Sequence, residues 1–348
     1  KHIVIMAGGT GGHVFPALAV AQSLHDQGWQ LSWIGTRKGM ESRVIPAHHI
    51  EIDYLSVHGL RGKGFGALLK IPFMLIRACL EARRILRNRK PDVVLGMGGF
   101  VAGPGGVMAK WLGIPLLIHE QNRIPGTTNR LLAHVANKVL QAFPDSFLGA
   151  KQAMFVGNPL RADFILQADA PRDKKSGVLR ILVMGGSLGA QRLNEVVPEA
   201  LALLGEVEVW HQTGTAMQQQ VALAYEKYTL RAQVTAFIEE VVEAYRWADL
   251  VICRAGAMTV SEVAAMGLPA ILVPYPYAID DHQTANAQYL VTAGAGRMIP
   301  QQQLTAVFLA EQIKQVSTQL DDMAKAAKRS AKLDATQKVA EQCILEAL

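Results

Sequence analysis

Residues 2–7 form a nearly unbroken apolar run, and four glycines fill the next five positions. From His13 apolar residues return at helical spacing and stop at Gly28. The pattern predicts a buried strand over 2–8, a glycine turn and a helix over 13–28. Further apolar runs at 30–35, 91–99, 114–120 and 138–143 predict strands separated by helices. Strands that are apolar on both faces belong to a parallel sheet covered on both sides. The scheme restarts at 179–201, and strands follow at 207–214, 234–238, 248–257 and 269–276. "IVIMAGGTG" and "ILVMGGSLG" match as strand, paired glycines, hydroxyl residue and glycine, half a chain apart. This weak internal repeat predicts two similar doubly wound α/β domains. Residues 156–177 turn polar and proline-bearing, which places the boundary there. The expected division is 1–158 and 159–331, with a final helix over about 332–348 packing back on the first domain.

The length of 348 residues agrees with two domains. No run of about 18 apolar residues appears, so no membrane-spanning helix is expected, and the opening lacks the pattern of a signal peptide. Three cysteines far apart in sequence predict free thiols, with neither a disulfide framework nor a zinc site. The net charge of +6 divides unevenly: residues 1–161 carry +11 and residues 162–348 carry −5. A basic half suggests an anionic partner. Aromatic residues are sparse and no nucleic-acid motif appears, so no nucleic-acid partner is expected. Segment 61–90 holds nine Lys/Arg, one acidic residue and an apolar middle. It reads either as an amphipathic contact for an anionic membrane surface or as a domain helix with a solvated basic face.

The glycine loops suit phosphate, since they let backbone approach a ligand and open onto a helix N-terminus. Neither is a dinucleotide fingerprint: from Gly9 the sixth place is Val14, and Gly35-Thr36 stand where an acidic residue is required. No Gly-Lys-Ser/Thr occurs, which excludes a P-loop. Tight strand-to-helix packing would explain one such loop, whereas two suggest a diphosphate site. In "RAGAMTVSE", Glu262 in the first helical turns can accept hydrogen bonds from vicinal hydroxyls or act only as a helix-capping carboxylate. His13 at a helix start can accept a proton when neutral, or can simply shape the loop. Asp280 and Asp281 are adjacent rather than Asp-x-Asp and in an extended chain would point to opposite sides, so they read as a loop pair and no metal is expected.

"GGTGGH", "GMGGFVAGPGG", "HEQN", "GNPLR", "GGSLGA" and "RAGAMTVSE" occur in the order seen in the MurG-type transferases of glycosyltransferase family 28, which the chain resembles over nearly its whole length. The resemblance implies a GT-B fold, two Rossmann-like domains facing a cleft. It implies an inverting transfer of N-acetylglucosamine from UDP-N-acetylglucosamine to lipid I, giving lipid II for peptidoglycan synthesis. By similarity, Ser187 contacts the donor diphosphate, Glu262 takes the ribose hydroxyls and Ile238 lies against uracil. Ala257, Met258, Thr259, Val260 and Ser261 shape the donor loop, and Gln283 reaches the sugar. Thr10, Gly11, Gly12, Asn122 and Arg161 complete the donor set. The loop Gly103, Pro104, Gly105 and Gly106 suits the acceptor diphosphate. His13 is the expected base, with Glu120 as its rival or orienting partner. Phe100 stands where some members carry Tyr, so no phenol-dependent role is expected there. No cofactor is implied. The resemblance also implies a peripheral place on the cytoplasmic face of the bacterial inner membrane, beside cell-wall synthesis proteins. A UDP-sugar 2-epimerase and a non-catalytic nucleotide-sugar binding protein remain as alternatives.

Overall fold

The computed structural model describes residues 1–57, 71–147, 153–170, 177–186 and 190–348. The chain forms two compact units, Lys1–Arg161 with Leu333–Leu348, and Ala162–Lys332.

In the first unit the described strands are β1 (His2–Met6), β2 (Gln30–Gly35), β3 (Glu51–Tyr54), β4 (Val93–Gly96), β5 (Leu116–Glu120), β6 (Lys138–Gln141) and β7 (Ala153–Phe155). They form one parallel sheet in the order β3-β2-β1-β4-β5-β6-β7. The described helices are α1 (Gly11–His25), α2 (Glu41–Ala47), α3 (Ile71–Arg89), α4 (Ala102–Trp111) and α5 (Thr127–Leu132). Every residue of β1, β4 and β5 is buried, because helices cover both faces of the sheet. Strand alternation divides β1: Ile3 and Ile5 pack with Val14, Ala17 and Val20 of α1, while Val4 and Met6 pack with Ala78 and Ala82 of α3 and Ala102 and Ala109 of α4.

The second unit repeats the scheme with β8 (Leu179–Met184), β9 (Val207–Gln212), β10 (Arg231–Thr235), β11 (Leu250–Cys253), β12 (Ala270–Leu272) and β13 (Gly296–Met298). Their parallel order is β10-β9-β8-β11-β12-β13. Its described helices are α6 (Ala162–Gln167), α7 (Gln191–Ala202), α8 (Gln218–Lys227), α9 (Val241–Trp247), α10 (Ala257–Ala265), α11 (His282–Thr292), α12 (Ala306–Ser317) and α13 (Leu320–Ser330). The final helix, α14 (Ala335–Glu346), returns to the first unit, where Val339, Ala340 and Cys343 share the α1 core. In each sheet the strand order reverses beside its first strand, between β1 and β4 and between β8 and β11. Loops at the carboxyl ends of strands that diverge in this way leave a crevice for ligands.

Each unit buries a histidine that stays neutral. Desolvation pushes the pKa of His119 down to about 4, opposed by its hydrogen bond to Gly157 O. Desolvation also pushes His211 down to about 3. His211 is held between Tyr225 Oη (2.9 Å) and Asn194 Oδ1 (3.1 Å). A histidine whose folded pKa is depressed adds stability that is complete above its unfolded value, near 6.5, and is lost as pH falls toward the folded value. Between pH 6.5 and 5, each histidine should therefore remove about 2 kcal/mol. Urea unfolding across that window should show the decline, and His211→Gln should lose less than the parent chain. Equal losses in the two proteins would refute this role for His211.

Candidate active site

The site residues fall into two sets, one in each unit. In the first unit, β1 ends in the loop Ala7–Thr10, with Gly9 at φ +97°. Trp33 Nε1–H donates to Ala7 O at 2.8 Å and anchors the loop's entry. Thr10 caps α1 through its backbone and makes no side-chain cap bond, which leaves its hydroxyl outside the helix. The amides of His13 and Val14 close on Thr10 O (3.1 and 3.2 Å), so the amides of Gly11 and Gly12 precede the helical ladder. Such amides at a helix start suit an anion.

Sequence reading missed the residue that holds this loop. Glu41 is fully buried at the start of α2. Its carboxylate accepts from Gly9 N–H (2.9 Å), Thr36 N–H (2.7 Å) and Thr36 Oγ1–H (2.7 Å). A Cβ on Gly8, Gly35 or Gly39 would stand 2.6, 2.6 or 2.1 Å from this side chain. Three glycines thus clear one carboxylate, which joins the loops after β1 and β2. The recurrence of glycine at 8, 35 and 39 was the available signal, but it does not name the partner.

The loop after β4 meets the first one. Gly98 and Gly99 have φ +100° and +82°, and a Cβ on Gly99 would lie 2.4 Å from Gly8 O. A Cβ on Gly98 would lie 2.7 Å from His13 Nδ1, so the imidazole rests on Gly98. Gly103, Pro104, Gly105 and Gly106, read as a loop, lie instead inside α4. Pro104, Gly105 and Gly106 are buried. A Cβ on Gly105 would strike Met6 Sδ at 2.1 Å, and one on Gly106 would strike Leu132 at 2.8 Å. These two glycines serve close packing against β1 and α5, and the loop proper is Met97–Val101.

His13 Nδ1 is 2.7 Å from Gln121 Oε1. Gln121 Nε2 is 3.0 Å from His119 Nδ1, and His119 Nε2 is 2.9 Å from Gly157 O. The orienting partner of His13 is therefore Gln121 rather than Glu120. Glu120 is buried, and its oxygens accept from Asn122 N–H (2.9 Å), Gly126 N–H (3.1 Å) and Asn129 Nδ2–H (2.9 Å). Adjacent residues at a strand end face opposite ways, which separates Glu120 from Gln121. Asn158 of "GNPLR" donates through Nδ2 to Gln121 O (3.1 Å), and Arg161 of the same stretch is exposed.

An open cavity of about 1690 Å³ in this unit is lined in part by Gly9, Arg37, Lys38, Arg77, Arg84 and Phe100. Beside it, α3 buries Ala78, Ala82 and Leu86 and exposes Phe73, Leu75, Ile76 and Leu80. Trp111 of α4 is 61% exposed, and the Arg83 guanidinium stacks on its ring at 4.5 Å. Residues 61–70 of the basic segment lie outside the described residues. No described helix is long and apolar enough to cross a membrane.

In the second unit, α10 follows β11 after the small-residue turn Arg254–Gly256. Val260 N–H closes the first helical bond on Gly256 O (2.9 Å), so the amides of Met258 and Thr259 stand in the open first turn. Ala257 and Val260 are buried, and Ser261 Oγ–H donates back to Ala257 O (3.0 Å). Glu262 Oε2 accepts from Tyr245 Oη–H at 3.2 Å. Gln283 Oε1 accepts from Ala255 N–H (3.2 Å) and Tyr275 N–H (2.8 Å), which ties two loops and turns Nε2 away from them. Arg254 donates to Val273 O (3.1 Å) and Gln301 Oε1 (2.6 Å), an anchor the sequence reading overlooked. Ile238, just beyond β10, is buried. Ser187 lies outside the described residues.

Asp280 and Asp281, read as a loop pair, form a turn with both φ at +52°, and Asp281 accepts from Thr284 Oγ1–H (2.7 Å). Among the described residues no group of three His, Cys, Asp or Glu side chains is placed to hold a metal ion. Cys79, Cys253 and Cys343 are free thiols, and burial pushes the pKa of Cys253 up to about 12.

Residues 3–141 match the glycosyltransferase family 28 N-terminal domain, and residues 180–343 match the family's C-terminal domain. A relative from Methylococcus capsulatus is 58% identical over 354 residues, spanning 100% of this chain and 99% of its own. It is named UDP-N-acetylglucosamine--N-acetylmuramyl-(pentapeptide) pyrophosphoryl-undecaprenol N-acetylglucosamine transferase. The crystal structure of Acinetobacter baumannii MurG is similar at TM-score 0.86 and 41% identity, over 99% of both chains. The UDP-GlcNAc 2-epimerase of Neisseria meningitidis reaches TM-score 0.69 over 99% of this chain at 12% identity, a likeness of fold alone. The two parallel sheets are the two Rossmann-like domains of a GT-B fold. With both halves matched, this chain belongs to glycosyltransferase family 28.

Proposed function

We propose that this protein transfers N-acetylglucosamine from UDP-N-acetylglucosamine to the 4-hydroxyl of the N-acetylmuramyl sugar in undecaprenyl-diphospho-N-acetylmuramyl-pentapeptide, giving lipid II for peptidoglycan synthesis. The observation that carries this reading is the 58% identity, end to end, to a relative that bears that activity's name. The first unit takes the acceptor and the second the donor. In the second unit, Glu262 accepts hydrogen bonds from the ribose diol, the first turn of α10 faces the nucleotide, Ile238 backs the uracil, and Gln283 offers Nε2–H to the sugar. Ser187 completes the diphosphate loop. In the first unit, Thr10, Gly11, Gly12, Asn122 and Arg161 contribute to the donor, and the acceptor diphosphate meets the open start of α4 and the cations of the cavity.

The reaction is a single displacement. The acceptor hydroxyl gives its proton to His13 as its oxygen attacks the anomeric carbon. The bond from that carbon to the phosphate oxygen breaks, and its electron pair leaves with UDP. Attack opposite the leaving group converts an α-linked donor to a β-linked product. Oriented N–H groups and Arg161 stabilise the departing diphosphate without a metal. Glu120 shapes the loop that presents Asn122. A transfer assay with labelled UDP-N-acetylglucosamine and a lipid I analogue, with no added metal, tests the reading. Label in a lipid-linked disaccharide with release of UDP is expected. Epimerised nucleotide sugar, or no product with or without magnesium, would overturn it.

The exposed apolar side chains of α3 and Trp111, with the exposed Arg84 and Arg87, support peripheral contact with an anionic lipid surface; the proposed activity puts that surface on the cytoplasmic face of the bacterial inner membrane, near cell-wall synthesis proteins. A lysine or arginine at such a surface contributes about 1 kcal/mol. Arg84→Glu with Arg87→Glu should weaken sedimentation with anionic vesicles at least about tenfold. Unchanged sedimentation would exclude this face as the contact.

A further inference from the structure

An imidazole has two nitrogens, and only the one without a proton can take the acceptor's. The contacts around His13 decide which it is. The line of hydrogen bonds ends at Gly157 O, a carbonyl oxygen, which can only accept. His119 must therefore place its proton on Nε2. Burial keeps that ring neutral, so His119 Nδ1 is a lone pair. That lone pair, 3.0 Å from Gln121 Nε2, needs a donor. That need turns the Gln121 amide so that its NH₂ faces His119, where it also reaches His119 O at 3.1 Å beside the Asn129 amide, and its oxygen faces His13. An amide oxygen only accepts, so His13 Nδ1, at 2.7 Å, is the donor.

We propose that Gln121, oriented by His119 and Gly157, holds His13 in the Nδ1–H tautomer and so leaves Nε2 as the lone pair that removes the acceptor's proton. This rests on His13 being the base. Gln121 and His119 are positioning residues, since neither needs to touch substrate. The other tautomer would set the Nδ1 lone pair against the amide oxygen at hydrogen-bond distance, which disfavours it about tenfold or more. The arrangement also survives the reaction. After Nε2 takes the proton, the imidazolium still donates Nδ1–H to Gln121 Oε1, so no side chain has to turn between the two states. Gly98 contributes by absence: its missing Cβ lets the Nδ1–Cε1 edge of the ring lie against the loop after β4.

Nitrogen-15 spectra of the full chain labelled in histidine test the relay directly, with His13 assigned by the signals lost in His13→Ala. At a pH where the ring is neutral, the parent protein should show a protonated Nδ1 and a bare Nε2. Gln121→Leu should shift the population toward Nε2–H and lower kcat about 10- to 100-fold, with KM for UDP-N-acetylglucosamine unchanged. Gln121→Met serves the same purpose if the leucine variant folds poorly, and the parent spectrum needs no variant of Gln121. A parent His13 with its proton on Nε2, or a tautomer that Gln121→Leu and Gln121→Met both leave unchanged, would overturn the relay. The base reading fails separately, if His13→Ala keeps full transfer activity.

Discussion

His13→Ala is expected to lower kcat for N-acetylglucosamine transfer by about 10²–10⁴-fold, the usual contribution of a positioned general base. KM for UDP-N-acetylglucosamine should change little, because the residues proposed for the nucleotide belong largely to the second unit. The size follows from the chemistry. A sugar hydroxyl is a weak nucleophile until its proton begins to leave, and the developing charge is costly without a nearby acceptor. His13 stands at the end of the first glycine loop, its Nδ1 occupied by Gln121 and its ring resting on Gly98. Steady-state kinetics with a lipid I analogue, alongside a UDP-binding measurement and a thermal melt, separates lost chemistry from lost folding. Full activity in a normally folded variant would remove His13 from the mechanism.

Glu41→Ala is expected to have the second large effect, on stability and activity together. The substitution takes one carboxylate from three donors, Gly9 N–H, Thr36 N–H and Thr36 Oγ1–H, in a place without solvent. Donors left unsatisfied in a buried site cost about 1–3 kcal/mol each, and partial rearrangement brings the net loss to about 3 kcal/mol. For a unit of this size that corresponds to a melting temperature lower by roughly 6–12 °C. Transfer activity should fall with it, since Gly9 leads directly to the first turn of α1. Glu41→Gln keeps an oxygen for Thr36 but turns an NH₂ toward Gly9 N–H, so its effect should be smaller. Differential scanning calorimetry of the two variants checks the order. Equal melting temperatures in Glu41→Ala and the parent would show that the loops hold without this clamp.

Both predictions concern loops at the carboxyl ends of diverging strands. The course of those strands was legible in the chain. Runs such as "HIVIM" and "LRILVM" are apolar on both faces, and only a covered parallel sheet buries both faces of a strand. The repeat of strand, paired glycines and hydroxyl residue announced two domains of one kind. The ordered motifs pointed to glycosyltransferase family 28, to which the chain belongs.

Residues whose partners are distant in sequence were not legible. Glu41 lies 32 positions from Gly9, and nothing local marks a glutamate at the start of a short helix as the clamp of another loop. "HEQN" sets Glu120 and Gln121 side by side, and a carboxylate is the expected rival base or orienting partner for a histidine. Strand alternation sends the two side chains to opposite sides, and the amide reaches His13. "GPGG" read as a loop because glycine and proline favour turns. The structure continues it as helix, and glycine stands at 105 and 106 because Met6 and Leu132 leave no room for a Cβ. The chain by itself determined where strands run, where loops turn and which family the pattern belongs to, because periodicity and glycine act over a few residues. Which side chain meets His13 Nδ1 and which carboxylate holds the glycine loop were settled by packing, because those contacts join atoms across more than thirty residues of intervening chain.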